Sequence, residues 1–175
     1  MAKLRKMLGS VKDPSIIALM ELMNTQSKTT LARWAVTYAK AHVLEICGRL
    51  LPDDTCFQEA VQVAWEYLDG TQTLARAKPF LKAAADAARN LEGQPVAQAA
   101  ARAVATACAA IQTPTNALGF TFYTAAALVY DRLGLHSTPS LYDEEAAKEF
   151  CSMLENFRLV MVPDEPNPAK LSWNC

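Results

Sequence analysis

Several features that mark enzymes and metal sites are scarce or missing in this sequence of 175 residues. Glycine occurs only six times and forms no phosphate-binding loop, and neither G-x-S-x-G nor H-E-x-x-H occurs. The only histidines are His42 and His136, whereas a protein zinc site uses three or four ligands. The sequence therefore predicts a protein without catalytic activity, cofactor or metal.

The five cysteines do not indicate a disulfide framework or a zinc site. Their number is odd and they form no C-x-x-C pair; they are Cys47, Cys56, Cys108, Cys151 and Cys175. Scattered thiols are typical of a reducing compartment, and residues 1–8 lack the apolar run of a secretory signal. We expect a cytoplasmic protein in which Cys108, within an apolar segment, is a buried small side chain and not a nucleophile.

A surplus of charge is also missing, because the net charge is −1 and 51% of the residues are hydrophobic. Nucleic-acid-binding domains usually show a basic surplus or stripe, so we expect no nucleic-acid partner. A local basic cluster of Lys3, Arg5, Lys6 and Lys12 is interpreted as a solvated N-terminus. The longest uncharged stretch, residues 103–130, contains polar residues and a proline, so no membrane span is predicted.

What the sequence has in abundance is alanine, above all in residues 83–110. A helix covered with methyl groups lets its neighbours approach to the short end of the roughly 8–10 Å packing range. In residues 96–111 the only polar side chains are Gln98, Arg102 and Thr106, whose spacing of four places them in one stripe. We therefore predict an all-α, single-domain bundle of about seven mostly antiparallel helices, with an alanine-rich central helix pair.

Capping residues and prolines set the predicted helix boundaries. Asp13-Pro14 begins the first helix, Pro79 is expected to kink or split the fourth, and Asp143 is expected to cap the last. The predicted helices run from Pro14 to about Asn24, from Ser27 or Thr29 past Ile46, from Asp54 to Leu68, from Thr71 or Thr73 to Leu91, from Pro95 to Ile111, from Thr115 to Leu133, and from Asp143 through Phe157.

Polar residues in the charge-poor region are the candidate binding groups. Gln98, Arg102, Gln112 and Asn116 lie on or beyond the fifth helix and predict a polar groove at the end of the hairpin joining the fifth and sixth helices. Alternatively they form a solvent-facing stripe or a core network with Asp86 or Glu92. His42, three residues before Glu45, is interpreted as a hydrogen-bonded structural histidine.

Two further surfaces are candidates for contact with another protein. An acidic face of Asp143, Glu144, Glu145 and Glu149 would complement a basic partner, or is simply a solvated helix start stabilised by the helix dipole. The proline-rich tail ends in Trp173, which we expect to dock on the domain, although it could anchor a partner.

The middle of the chain resembles the Imm-5-like type of immunity proteins, a family predicted from bacterial toxin loci. The resemblance covers about residues 28–130 and rests on the order and spacing of the following segments: Leu31-Ala32-Arg33-Trp34-Ala35, Pro52-Asp53-Asp54, Glu59-Ala60-Val61, Ala64, Tyr67, Gly70, residues 84–89, Ala99-Ala100-Ala101-Arg102-Ala103 and Pro114-Thr115-Asn116-Ala117-Leu118-Gly119. Residues 1–26, 134–160 and 161–175 of the single domain would then be an N-terminal helix, a C-terminal helix and a tail.

The resemblance implies an all-helical protein that binds and neutralises a toxin without catalysis. Relatives tend to carry histidines where this chain has Gln112 and Asn116, so any function of those histidines would be lost here or taken over by neutral amides. The alternative function is a small-molecule-binding protein or enzyme with a pocket near Arg102, Gln112 and His42.

Overall fold

The computed structural model describes residues 3–173, which fold into one all-α domain. Within this range there are eight helices and no strand: α1 (Pro14–Met23), α2 (Lys28–His42), α3 (Leu44–Leu50), α4 (Cys56–Leu68), α5 (Leu74–Arg89), α6 (Pro95–Ala109), α7 (Asn116–Leu133) and α8 (Pro139–Val160). The predicted fold class is confirmed, with one helix more than expected.

The additional helix arises because the predicted second helix is interrupted at Val43. This residue has φ −122° and ψ −34°, outside the helical range. Its N–H still donates to the carbonyl of Ala39, while its own carbonyl accepts from Ile46 and Cys47 and so begins α3. Val43 is fully buried, so packing holds a break that no glycine or proline signals.

The start of α8 was also predicted wrongly. Asp143 is not its cap: the helix begins four residues earlier, with Pro139 in its first turn and the Thr138 hydroxyl accepting from the N–H of Leu141 at 3.2 Å. Proline is favoured at this position because the first-turn N–H has no partner within the helix. Asp143 instead binds Arg5 at 2.5 Å.

Pro79 does not divide α5, which is one helix from Leu74 to Arg89. The proline has no N–H to donate to the carbonyl of Ala75, four residues earlier. Thr73 caps the helix by accepting from the N–H of Arg76. The expected splitting of the first turn is therefore wrong, and the cost of the proline is confined to one missing hydrogen bond.

The alanine-rich helix α6 lies at the centre of the bundle, as predicted. It packs most extensively against α7 and also contacts α2, α3, α4 and α5. Ten of its side chains are buried, and seven of these are alanine. A Cβ placed on Gly119 of α7 would lie 3.6 Å from the Thr106 methyl of α6, which shows how close the two helices approach.

Aromatic residues connect the outer helices to this centre. The Trp34 ring of α2 meets Phe120 of α7 at 5.2 Å and Phe157 of α8 at 5.0 Å, both edge to face. The Trp34 Nε1 donates to the Asn156 side chain at 2.9 Å. One side chain thus joins α2 to α7 and α8, two consecutive helices that lie far from it in sequence.

The N-terminal segment runs alongside α8 in the same direction. Arg5 binds Asp143 near the start of α8, Gly9 lies against Phe150 in its middle, and Gln26 holds Val162 just past its end. Residues 3–26 therefore belong to the packed domain, and they contact α8 near its start, in its middle and just past its end.

The proline-rich tail docks on the domain, as expected, and Trp173 packs against the core. Gln26, which is 1% exposed, binds both backbone groups of Val162: its Nε2 donates to the carbonyl at 3.0 Å and its Oε1 accepts from the N–H at 2.8 Å. The Ala169 N–H donates to the Gln26 carbonyl. The tail is thus held through its backbone as well as by its apolar residues.

Glu165 makes tail docking sensitive to pH. Its burial raises the pKa, but hydrogen bonds from the Thr30 and Ser27 hydroxyls and the Ser27 N–H outweigh this and lower the pKa below the ordinary value of 4.5. A carboxyl with a lowered folded-state pKa contributes stability above its unfolded pKa and loses it as the pH falls through the folded one.

We therefore expect Glu165→Gln to lower the free energy of unfolding by about 1 kcal/mol at pH 7. The difference from wild type should shrink below pH 4.5 as the wild-type carboxyl takes up its proton. Urea denaturation at pH 7 and at a pH below 4.5 measures this difference in the free energy of unfolding. A difference that stays constant or grows on acidification contradicts this role.

Candidate functional site

The polar stripe predicted on the central helix is present as a partly exposed surface of the α6–α7 hairpin. We call it the hairpin face and define it by Arg102 and Thr106 of α6 with Asn116, Gly119 and Tyr123 of α7. All five are intermediate in exposure, although their helices are otherwise mostly buried. Spacings of three and four residues align them along each helix. The Thr106–Gly119 approach and the Arg102–Tyr123 pair join the two rows.

Arg102 is the charged group of this face. Its guanidinium lies over the Tyr123 ring, with Cζ 5.9 Å from the ring centroid, a cation–π arrangement. Its Nε is buried and has no hydrogen-bond partner among the described residues. The alternative of a core network through Asp86 does not hold, because Asp86 binds Lys82 and Arg89, and no ion pair joins Arg102 to Glu92 among the described residues. Arg102 is thus held in place by an aromatic ring but not neutralised.

Most other arginines of the chain have a carboxylate partner. The pairs are Arg5–Asp143, Arg33–Asp69, Arg49–Asp131, Arg89–Asp86 and Arg132 with Glu145 and Glu149. In residues 3–173, Arg76, Arg102 and Arg158 lack one, and of these three only Arg102 is partly buried. An arginine that is half withdrawn from water without a counter-ion is suited to receive one from a partner.

The hairpin face leads into an open groove at the end of α6. The groove has a volume of about 590 Å³ and is bounded by α5 and by Ala109, Gln112 and Thr113. The other side of the groove is formed by Ala75, Lys78 and Lys82. The carbonyl of Ala75 lacks a helical donor because Pro79 has no N–H. Gln112 is exposed here and Asn116 begins α7 beside it. Of the four residues from which the sequence predicts a polar groove, only Gln112 lines this one.

Two of the predicted residues lie elsewhere. Gln98 is buried and closes the end of α5, its Nε2 donating to the carbonyl of Ala88 at 3.1 Å and weakly to that of Arg89. His42 is exposed at the end of α2, where its ring stacks on Tyr38 with 4.2 Å between centroids. It forms no side-chain hydrogen bond with the described residues, so its interpretation as a hydrogen-bonded histidine is wrong.

The two cavities described in the structure do not combine Arg102, Gln112 and His42. Gln112 lines the groove beside α5, and Gln98 lines a second cavity near the N-terminus. Neither Arg102 nor His42 lines either of them. The geometry therefore assigns Arg102 to a surface and not to the wall of a pocket.

The acidic face at the start of α8 is largely neutralised from within the chain. Arg5 binds Asp143, Arg132 binds Glu145 and Glu149 at about 3 Å, and Lys148 binds Glu145 and Glu144. Hydrogen bonds from Lys148 and then Arg132 lower the pKa of the Glu145 carboxyl. Because these carboxylates already have cations, this surface offers a basic partner less attraction than the sequence implies.

Nucleophilic and metal chemistry find no support in the described part of the chain. Burial raises the pKa of the Cys108 thiol to about 12, and Cys108 is fully buried, as expected of a small core side chain. Among residues 3–173, no three His, Cys, Asp or Glu side chains come together as a metal site would require. In the same range, no helix has the length and apolarity needed to cross a bilayer.

Comparison with known proteins gives one family. The model of the family described as Imm-5 like putative immunity protein matches residues 21–156, more than three quarters of the chain. No curated protein and no solved structure matches. The match is wider than the resemblance over residues 28–130: it includes the end of α1 and most of α8, together with every residue of the hairpin face.

Proposed function

The chain belongs to the family of Imm-5-like putative immunity proteins, and on that premise we propose that it binds a bacterial toxin and neutralises it without catalysis. The family assignment supports the class of function. The partly buried, unpaired Arg102 supports placing the toxin-binding surface on the hairpin face. Such a protein works as a rigid surface with a few anchors and needs no reaction centre.

The hairpin face has the composition of a binding surface. Arginine and tyrosine are enriched among the residues that carry most of the energy of protein interfaces, and here Arg102 and Tyr123 lie together. Gly119 has no side chain and Thr106 has a short one, so few atoms protrude from the surface beside Arg102 and Tyr123. The helices beneath are fixed by the buried alanine core, so binding requires little ordering.

The charge of Arg102 indicates which group of the toxin it meets. A carboxylate of the partner could accept hydrogen bonds from the guanidinium, and such charge-assisted bonds are among the strongest in proteins. The guanidinium is already positioned by Tyr123, so the loss of side-chain entropy on binding is small. Gln112 and Asn116 at the end of the face would add neutral amide contacts at its rim.

Coexpression provides the test of this role. The gene neighbourhood is searched for the probe, a reading frame that ends in a toxin domain; this domain is then expressed with and without the protein, and we expect the protein to restore growth. Arg102→Gln should weaken the complex about a hundredfold, since truncation of an interface anchor costs about 2–4 kcal/mol. Titration calorimetry with the purified toxin domain measures the affinity.

Arg158→Gln is the matched control, because Arg158 is exposed at the end of α8 and has no ion pair with the described residues. It should leave the affinity unchanged. A neighbouring toxin that this protein neither binds nor neutralises refutes the proposed function. Equal affinity of the Arg102→Gln and Arg158→Gln proteins refutes the placement of the interface on the hairpin face.

A further inference from the structure

A second cavity, separate from the hairpin face, lies near the N-terminus and has a volume of about 960 Å³. Its walls come from the N-terminal segment, from the loop between α5 and α6, and from the loop that leads into α8. Ligand pockets in proteins usually measure about 300–1,000 Å³. We call it the N-terminal cavity; its size suits a small organic molecule.

The charges around this cavity are mostly positive. Lys3, Arg5, Lys6 and His136 line it, and Glu92 is its one carboxylate among the described lining residues. Arg5 is engaged with Asp143, but Lys3 and Lys6 make no ion pair within residues 3–173. From the sequence, the basic cluster was interpreted as a solvated N-terminus. In the structure, three of its residues, Lys3, Arg5 and Lys6, line one concave surface.

Two helices also begin at this cavity. Pro95 in the first turn of α6 and Pro139 in the first turn of α8 both line it. Gln94, which precedes α6, makes no side-chain capping hydrogen bond, so the N–H groups of that first turn lack the usual acceptor. The first turn of α8 already has the Thr138 hydroxyl as an acceptor, so it is the positive end of α6 that adds to the lysines in favouring an anion.

Gln98 contributes a group of the opposite kind. It lines the cavity and is only 8% exposed, and the amide orientation is fixed because Nε2 donates to the carbonyl of Ala88. No described residue donates to its Oε1. The Oε1 atom is not one of the fully enclosed unpaired atoms of the described chain, so it is open to a hydrogen bond from the cavity, and a ligand that uses it carries a hydroxyl or N–H group as well as a negative charge.

The aromatic wall between these groups is rigid. Tyr130 and Tyr142 meet edge to face with 4.9 Å between ring centroids. Their hydroxyls are already committed, Tyr130 donating to the carbonyl of Arg5 and Tyr142 to that of Gly134. Both residues are buried, so this wall gives the cavity a fixed shape, and the polar contacts to a ligand fall to the lysines and Gln98.

We propose that the N-terminal cavity binds a small organic phosphate with hydroxyl groups, of the size of a pentose phosphate. The phosphate lies against Lys3, Lys6 and the start of α6, and a hydroxyl donates to the Gln98 Oε1. This function goes beyond toxin binding and uses none of the hairpin-face residues. It is therefore tested without a toxin.

Titration calorimetry of the full chain with ribose 5-phosphate is the experiment, with ribose and inorganic phosphate as comparison probes. We expect ribose 5-phosphate to bind, more tightly than inorganic phosphate, and ribose not to bind. The double variant Lys3→Gln/Lys6→Gln should weaken ribose 5-phosphate binding about tenfold or more, because each lost bond to a charged group is a substantial part of such an affinity. Added salt should weaken it as well.

Lys12→Gln is the control, since Lys12 belongs to the same basic cluster but does not line the cavity; its binding should equal that of wild type. Absence of ribose 5-phosphate binding overturns the proposal. Equal affinity of the Lys3→Gln/Lys6→Gln and Lys12→Gln proteins overturns it too. Binding of inorganic phosphate as tightly as of ribose 5-phosphate overturns the part assigned to Gln98.

Discussion

Gly9→Ala is expected to lower the free energy of unfolding by about 3 kcal/mol, a large effect for one methyl group. Gly9 has φ +89°, which L-residues with a side chain rarely adopt. A Cβ at this position would overlap Cε2 and Cζ of the Phe150 ring. Phe150 is 1% exposed and packs on Phe122, so its ring has little room to move away.

Gly70→Ala separates the two causes. Gly70 has a similar φ of +78°, but a Cβ there would meet nothing within 4 Å. It should cost only the backbone strain, about 1 kcal/mol. Urea denaturation of both variants gives the comparison, and the excess loss in Gly9→Ala measures the clash with Phe150. Equal losses would show that the N-terminal segment is not packed on α8 as the structure has it.

Helix starts could be predicted from the sequence wherever a capping side chain precedes a proline or an apolar stripe. Asp13 caps α1, with its carboxylate 2.8 Å from the N–H of Ser15. The same signal, Thr138-Pro139, begins α8, although the predicted helix start was Asp143. Proline prevents the continuation of a preceding helix and favours the start of a new one, and only the residues that pack against it decide between the two.

Contacts between distant parts of the chain are what the sequence could not reveal. Arg5 and Asp143 are 138 positions apart, and neither position shows a pattern that links them. The neutralisation of the acidic face follows from this pair and from Arg132, whose partners lie across a helix boundary. Local spacing identifies charges, but the fold determines whether they remain available to a partner.

Only part of the candidate site could be predicted, again because the sequence does not reveal contacts between distant residues. The spacing of Gln98, Arg102 and Thr106 gave the stripe correctly, since helical periodicity depends only on position. It did not show that Gln98 would be buried against the end of α5 while Arg102 and Thr106 stay partly exposed. Nor could it show the stacking of Arg102 on Tyr123, which requires the register of α6 against α7.

Ala103→Leu should reveal how tightly that register is held. Ala103 is fully buried in α6, next to Arg102 in sequence, and its helix has neighbours on most sides. Three added carbons have no space in an interior packed like a crystal, so the helices must separate or the side chain must take a strained rotamer. We expect a loss of about 3 kcal/mol in the free energy of unfolding, measured by urea denaturation.

Ala83→Leu, in the neighbouring alanine-rich helix α5, is the control because Ala83 is exposed. Both residues favour helix to a similar degree, so the control should change the free energy of unfolding by less than about 0.5 kcal/mol. The contrast isolates packing from helix propensity. If Ala103→Leu is tolerated as well as Ala83→Leu, the centre of the bundle has room for larger side chains, and a hairpin face held rigid by methyl-to-methyl packing is no longer tenable.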